Sequence, residues 1–345
     1  MQPGLYVVAP IGLGNVEGEV PTPVPLVDSV ELASFDPKWK DNALRFLESI
    51  RKRYGGLSDM AISEFATTRH CLVLRFADPG AGRPIDPEVF DQGEFTIGQR
   101  VRARDGLAKG WLRSLAVLAI AGRIHFGCFE WWFGFKVAEP PEEHSCHEVR
   151  RVGWYGRVVA NEKREAMNNE YWDRVRTIAR NLANCKHDSR PAVAADMFAR
   201  AVFADDWRVE MLCYWIALEA LFGQTDTELS HQLCERAAAW NELPGEGRHE
   251  LYRELKAAYR LRSKLVHGSL VISREQDRED LSAAIDVVEG ATRNALCRLL
   301  MDQDMTALFM QERQLTEYFE KAVLAPEASA RPDSMPAPDA HPQAG

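Results

Sequence analysis

The sequence predicts two structural classes in one chain: a mixed α/β region over residues 1–150, then an α-helical bundle over residues 165–323. Three observations predict this. Before about residue 160, short apolar runs are punctuated by Gly and Pro, the grammar of strands and turns. Beyond it, apolar residues recur every three or four positions, the period of amphipathic helices. The last stretch, APEASARPDSMPAPDAHPQAG, holds Met335 as its one large apolar residue, so residues 324–345 are expected to be a disordered tail.

In the N-terminal region, the first 30 residues are rich in Gly, Pro and Val and predict short strands or an extended arm. Residues 37–54 place Ala43, Phe46, Leu47 and Ile50 on one helical face. HCLVLRFADPG reads as a strand stopped by Pro79 and Gly80, and residues 81–107 are loop-rich. Residues 110–137 are the most apolar part and predict a buried helix followed by an aromatic strand. There Phe126, Phe129, Trp131, Trp132, Phe133 and Phe135 read as core packing, because the Lys and Arg of a nucleic-acid groove are sparse between them. AEPPEEHSCHEV, residues 138–149, is polar and proline-containing and reads as a break, with a second hinge near Gly153 to Asn161.

The C-terminal half divides at its turn residues into five to seven helices. NNEYWDRVRTIARNLAN lines up Trp172, Val175, Ile178, Ala179 and Leu182, and the next helix, residues 191–204, opens on a proline suited to a first turn. WRVEMLCYWIALEALFG, residues 207–223, is apolar on most faces and ends in glycine. TDTELSHQLCERAAAWN follows, with Thr225 or Thr227 as caps and Leu229, Leu233, Ala237 and Trp240 inward; Ser230 and His231 read as a capping or surface pair. After the loop LPGEGR come HELYRELKAAYRLRSKLVH, a long helix over 278–300, and a last one over 305–323.

Composition narrows the function classes. At 345 residues and 46% hydrophobic the chain is globular, and its formal net charge of -9 provides no chain-wide field for gathering nucleic acid, leaving room only for a local basic groove. Seven scattered cysteines lack the spacing of a disulfide framework, the N-terminus lacks a secretory pattern, and LAVLAIAG is far shorter than the roughly 20 residues of a membrane span. A soluble, cytoplasmic protein with no membrane partner is expected.

On a wheel of about 100 degrees per residue with Leu251 at zero, Leu255, Ala258 and Leu265 fall within about 40 degrees and define the buried face of HELYRELKAAYRLRSKLVH. Arg262 falls at about 20 degrees, inside that face, whereas His267 lies about 140 degrees away at the carboxyl end, next to the stop residue Gly268. An inward arginine needs an acidic partner, a subunit boundary or a polar groove. Glu219, a single carboxylate in IALEALF, needs a partner too, and Arg236 and Arg262 are the two candidates. His267, expected to meet unpaired carbonyls at the helix terminus, has an environment suited to proton transfer or anion contact. Two readings stand at this point: a structural ion pair with a capping histidine, or a working pair.

WIALEALF, ELSHQLCERAAAW and LYRELKAAYRLRSKLVHG, in that order, resemble the HEPN superfamily and its ApeA-like branch over roughly residues 170–320. The resemblance implies a helical domain that pairs with itself, with an arginine, four to six intervening residues and a histidine as its motif. Here that motif falls on Arg262 and His267 as catalytic candidates, with Ser263 and Lys264 between them as candidate substrate contacts. Glu219, Arg236 and Tyr259 are supporting candidates. Lys264 and Arg260, on the other side of the wheel from the buried face, suit long-range steering of an anion. The activity implied is metal-independent RNA cleavage by 2'-hydroxyl attack, in a bacterial defence or toxin–antitoxin setting and under a regulatory protein. The alternative is a catalytically silent module that binds RNA, a nucleotide or a partner protein. No cofactor is expected.

The remaining motifs are weak. His144, Cys146 and His147, with Cys185 and His187, have donor types that suit zinc but no recognisable knuckle spacing. GLGNVEG lacks the lysine of a phosphate loop, and neither a zincin helix nor a nucleophile elbow occurs.

Overall fold

The computed structural model describes residues 4–13, 16–17, 19–27, 30–34, 37–54, 66, 68–75, 110, 112–124, 126–128, 131–137, 145–151, 155–157, 165–204, 206–223 and 229–324. An antiparallel sheet with two helices occupies the N-terminal part, and a long all-helical bundle follows.

Strands β1 (Gly4–Leu13), β2 (Val24–Pro25), β3 (Val30–Ser34), β4 (His70–Arg75), β5 (Phe126–Cys128), β6 (Trp131–Val137), β7 (Ser145–Arg151) and β8 (Tyr155–Arg157) form the sheet. β1 is its spine. One edge pairs with β4 from Tyr6 to Ile11, while the other is shared, with β6 along Gly4–Val8 and β5 along Ile11–Leu13. β2 and β3 extend the sheet beyond β4, β8 pairs with β5, and β7 pairs with β6. The reading of residues 138–149 as one polar break is therefore corrected at its far end. SCHEVRR is a strand because β6 supplies hydrogen-bonding partners along it, a tertiary cause that apolar alternation does not report. The expected packing of the aromatic run, the loop at 81–107, the caps Thr225 and Thr227 and the tail lie outside the described residues and side chains.

Helix α1 (Pro37–Tyr54) buries Ala43 and Leu47 as the sequence predicts. Helix α2, residues 112–121, is buried along nearly its whole length and joins the two parts of the chain. Its carbonyls at Leu118 and Ala121 accept hydrogen bonds from Tyr171 Oη (3.0 Å) and Arg174 Nε (2.9 Å). Arg113 grips Asp196 through Nε at 2.7 Å and Nη2 at 3.1 Å.

Among the described residues the bundle has eight helices, one more than the sequence predicts at most: α3 (Asn169–Ala183), α4 (Arg190–Val202), α5 (Trp207–Phe222), α6 (Leu229–Asn241), α7 (Glu246–Val266), α8 (Glu275–Met301), α9 (Gln303–Leu308) and α10 (Glu312–Leu324). The extra element arises because the last predicted helix is divided. Asp302 caps α9 through Asp304 N and Met305 N, and a turn at Phe309 drops that ring among Trp240, Phe222 and Phe319. α7 starts at Glu246, inside the predicted loop, because the Gly245 turn (φ 141°) already positions the chain for it. α8 packs against α3, α4, α5, α6 and α7 and is the hub of the core. Trp172, Trp215, Trp240, Tyr171, Tyr214, Phe198 and Phe222 are fully buried there, each worth on the order of 3–5 kcal/mol against truncation to alanine.

Candidate functional site

Helix α7 begins as an ordinary amphipath. Leu255 and Ala258 are buried, and Leu251 and Leu265 pack partly against the core, so the face deduced from the wheel is the face that folds inward. Arg262 lies on it. Its Nη2 donates to Glu219 Oε1 of α5 at 3.0 Å, and its guanidinium carbon sits 5.4 Å from the Tyr259 ring centroid. Tyr259 in turn meets Trp215 edge-on at 5.1 Å. The cluster is half-buried, with side-chain exposures of 22% for Arg262 and 26% for Glu219. Burial raises the Glu219 pKa above its ordinary 4.5, and the Arg262 cation opposes the rise without cancelling it.

Of the two arginines open to Glu219, then, Arg262 is the partner. Arg236 instead donates to the Phe222 carbonyl at 3.1 Å and lies over Phe319. Gly223 follows Phe222 for a steric reason: a Cβ there would stand 2.7 Å from the Glu219 carbonyl oxygen. Arg262 keeps something in reserve, since its buried Nε makes no hydrogen bond.

His267 is exposed and caps α7, and Gly268 follows in the left-handed conformation (φ 66°). Ser269 N donates to Lys264 O at 2.8 Å and Gly268 N to Leu265 O at 3.1 Å, the two bonds of a Schellman motif. His267 N itself donates to Ser263 O at 3.1 Å. The expectation of unpaired carbonyls around His267 is thus corrected for Ser263, Lys264 and Leu265, whose carbonyls the backbone beyond the helix satisfies. Ser263 is half-buried, and Lys264 and Arg260 are exposed. The fold therefore brings Arg262, Glu219 and Tyr259 into contact and sets His267 at the end of the same helix.

Two features escape sequence reading. The first is a cleft of about 330 Å³ where the end of α7 (Leu265, Gly268) faces the start of α5 (Trp207, Arg208) and the following linker (Leu270, Ile272). The short apolar run at residues 270–272 in SLVIS is its one signal in the sequence. The second is the cross-link between α6 and α7, in which His231 Nδ1 pairs with Tyr252 Oη at 2.8 Å and Lys256 Nζ donates to Ser230 Oγ at 3.2 Å. Ser230 and His231 make that contact between the two helices, in keeping with the surface pair expected of them.

No family model, curated protein or solved structure matches the chain.

Among the described residues, no group of three or more His, Cys, Asp or Glu side chains is placed to hold a metal ion. Cys185 donates to Asn181 O and His187 Nδ1 pairs with Arg113 at 2.7 Å, while His144 and the side chains of Cys146 and His147 lie outside the description. The buried thiols suit no nucleophile, and burial pushes Cys234 up to about 12 despite the nearby Lys256. No helix among the described residues is long and apolar enough to cross a membrane.

Proposed function

We propose that the bundle is a HEPN-like, metal-independent endoribonuclease of a bacterial defence or toxin–antitoxin system, with Arg262 and His267 as its working pair. The observation that carries this reading is Arg262 itself. It is an inward arginine steadied by Glu219 and Tyr259 and still 22% exposed, on the helix that an exposed histidine caps five residues on. A guanidinium anchored on one side and partly exposed on the other suits a phosphate, which takes several charge-assisted hydrogen bonds.

In this reaction the ribose 2'-oxygen bonds to the adjacent phosphorus while the bond from phosphorus to the 5'-oxygen breaks. The products are a 2',3'-cyclic phosphate and a free 5'-hydroxyl. One His267 takes the 2'-hydroxyl proton and a second His267, from another copy of the chain, gives a proton to the leaving oxygen. Arg262 offsets charge on the phosphoryl oxygens. Exposed apolar side chains support the pairing of two copies: Val209 and Ile216 stand seven residues apart on α5, the helix of Glu219, and Val266 and Val271 flank the His267 turn. Ser263 and Lys264 would contact the substrate, and a regulatory protein would restrain so general an activity.

The purified protein should cleave single-stranded RNA in EDTA. Arg262→Ala and His267→Ala should each lower the rate by about 100-fold or more while keeping the oligomeric state. The Glu219 pairing also favours a second reading, a catalytically silent module in which Arg262 is structural. RNA binding without cleavage would select that reading, and loss of the dimer in Arg262→Ala would assign the arginine to packing.

A further inference from the structure

We infer that the cleft between the start of α5 and the end of α7 is a nucleobase subsite, with Trp207 and Arg208 as the residues that select its ligand. The inference deepens the nuclease reading and rests on it for the kind of ligand. Leu265 is three residues beyond Arg262, about 4.5 Å along the helix and on the same side of it, so the cleft continues the Arg262 face. Gly268 forms the other lip, and His267 is its immediate neighbour in the chain.

The lining fits a flat, partly apolar ring. Leu265, Leu270 and Ile272 are aliphatic, Trp207 is aromatic and partly buried, and Arg208 is the one charged residue among the six that line the cleft. Its guanidinium carbon lies 4.7 Å from the Trp207 ring centroid and is braced at 3.1 Å by Asp206, whose carboxylate also caps α5 through Arg208 N. Stacked indole and guanidinium planes are the surfaces on which unpaired bases rest, and the exposed Arg208 can at the same time face a phosphate. At about 330 Å³ the space is at the small end of the roughly 300–1,000 Å³ of ligand pockets, enough for a base rather than a folded peptide. The cleft would hold a base flanking the phosphate at Arg262.

Calorimetric titration of the full chain with AMP, GMP, CMP and UMP, and with ribose 5-phosphate as the baseless control, tests this. At least one mononucleotide should bind about ten-fold or more tighter than ribose 5-phosphate, and Trp207→Leu should remove that advantage. Arg208→Gln, at an exposed position that leaves the core untouched, should weaken binding about three-fold or more, which keeps the test informative if Trp207→Leu melts early. Equal binding of nucleotides and ribose 5-phosphate, or nucleotide affinity unchanged in both variants, overturns the subsite. RNA cleavage by the unaltered protein is scored separately: base-selective binding without cleavage sinks the nuclease reading and leaves the subsite standing.

Discussion

Two arginine–carboxylate pairs in this protein look alike in isolation and differ in every surrounding contact. Arg123, just after α2, binds Glu289 of α8 through Nε at 2.9 Å and more closely through Nη2, and it also reaches the Asp286 carbonyl. Glu289 also pairs with Arg293 at 3.4 Å, while Glu165 collects Arg293, Arg174 and the Arg123 backbone N–H. Burial alone would lower the Arg123 pKa, yet Glu289 and Asp286 hold it above its ordinary value. Arg262, by contrast, has one carboxylate and one ring. A network that shares charge among several partners locks one part of the fold to another. A lone, partly exposed pair holds a side chain in position and leaves its solvent-facing edge able to meet something else.

The comparison breaks most visibly at Glu289. With 7% side-chain exposure and two arginines on it, its replacement by alanine removes the shared partner of two largely buried cations and should cost about 3 kcal/mol in urea unfolding. A loss below about 1 kcal/mol would mean that the network is loosely hydrated and the contrast false. Arg262→Ala should cost only about 1 kcal/mol in the same assay, because the pair is partly exposed and water can reach the Glu219 carboxylate, itself 26% exposed, once the arginine is gone. A cost equal to that of Glu289→Ala would place Arg262 among the structural arginines.

How much of this was legible beforehand depends on whether the cause was local. The inward placement of Arg262 follows from Leu255 and Ala258 on the same helix, and the need of Glu219 for a partner follows from its apolar neighbours, so both are readable from one segment. Which arginine answers Glu219 depends on how α5 and α7 cross, and no single segment records that. The strand at 145–151 exists because β6 lies beside it, and the division of the last helix exists because Phe309 has an aromatic socket built by α5, α6 and α10. The Trp207 cleft assembles from three separate segments, so only its apolar linker left a trace. Gly268 was legible as a stop, but that its turn would satisfy the carbonyls of Lys264 and Leu265 emerges only from the backbone geometry.

A smaller effect sharpens the same contrast through pH. The Glu219 pKa is raised in the folded state, so the native protein holds that proton longer than the unfolded chain does. Stability from this group is therefore greatest at low pH and declines as pH rises from about the ordinary 4.5 through the raised value. Glu219→Gln cannot titrate. Its melting temperature relative to the parent should climb between about pH 4 and pH 7, and in an Arg262→Ala background, where no cation opposes burial, the climb should steepen. A difference that stays flat across this range would mean that Arg262 fully offsets the burial of Glu219, making the pair as closed as the one at Arg123.

The smallest effect concerns how the site is anchored where no buried charge helps. Asp277, in the first turn of α8, accepts from the backbone N–H groups of Ser273 (3.1 Å) and Arg274 (2.9 Å) and from the Arg274 guanidinium (3.1 Å). Those bonds, the Arg274 backbone first, hold its carboxyl down to about 2. A depressed carboxylate adds stability above its ordinary 3.8 and loses it as pH falls toward 2, the opposite sign to Glu219. The residues it pins directly follow the linker that places Leu270 and Ile272 in the Trp207 cleft. Asp277→Asn should therefore lower the melting temperature slightly at neutral pH, with the gap to the parent closing between about pH 4 and pH 2. Amide exchange over residues 269–277 should quicken in the variant at neutral pH while that of α8 beyond Leu281 stays unchanged. Quickening along the whole of α8 would show that Asp277 nucleates the helix at the hub of the core, and the cleft would then owe its shape to the core rather than to this cap.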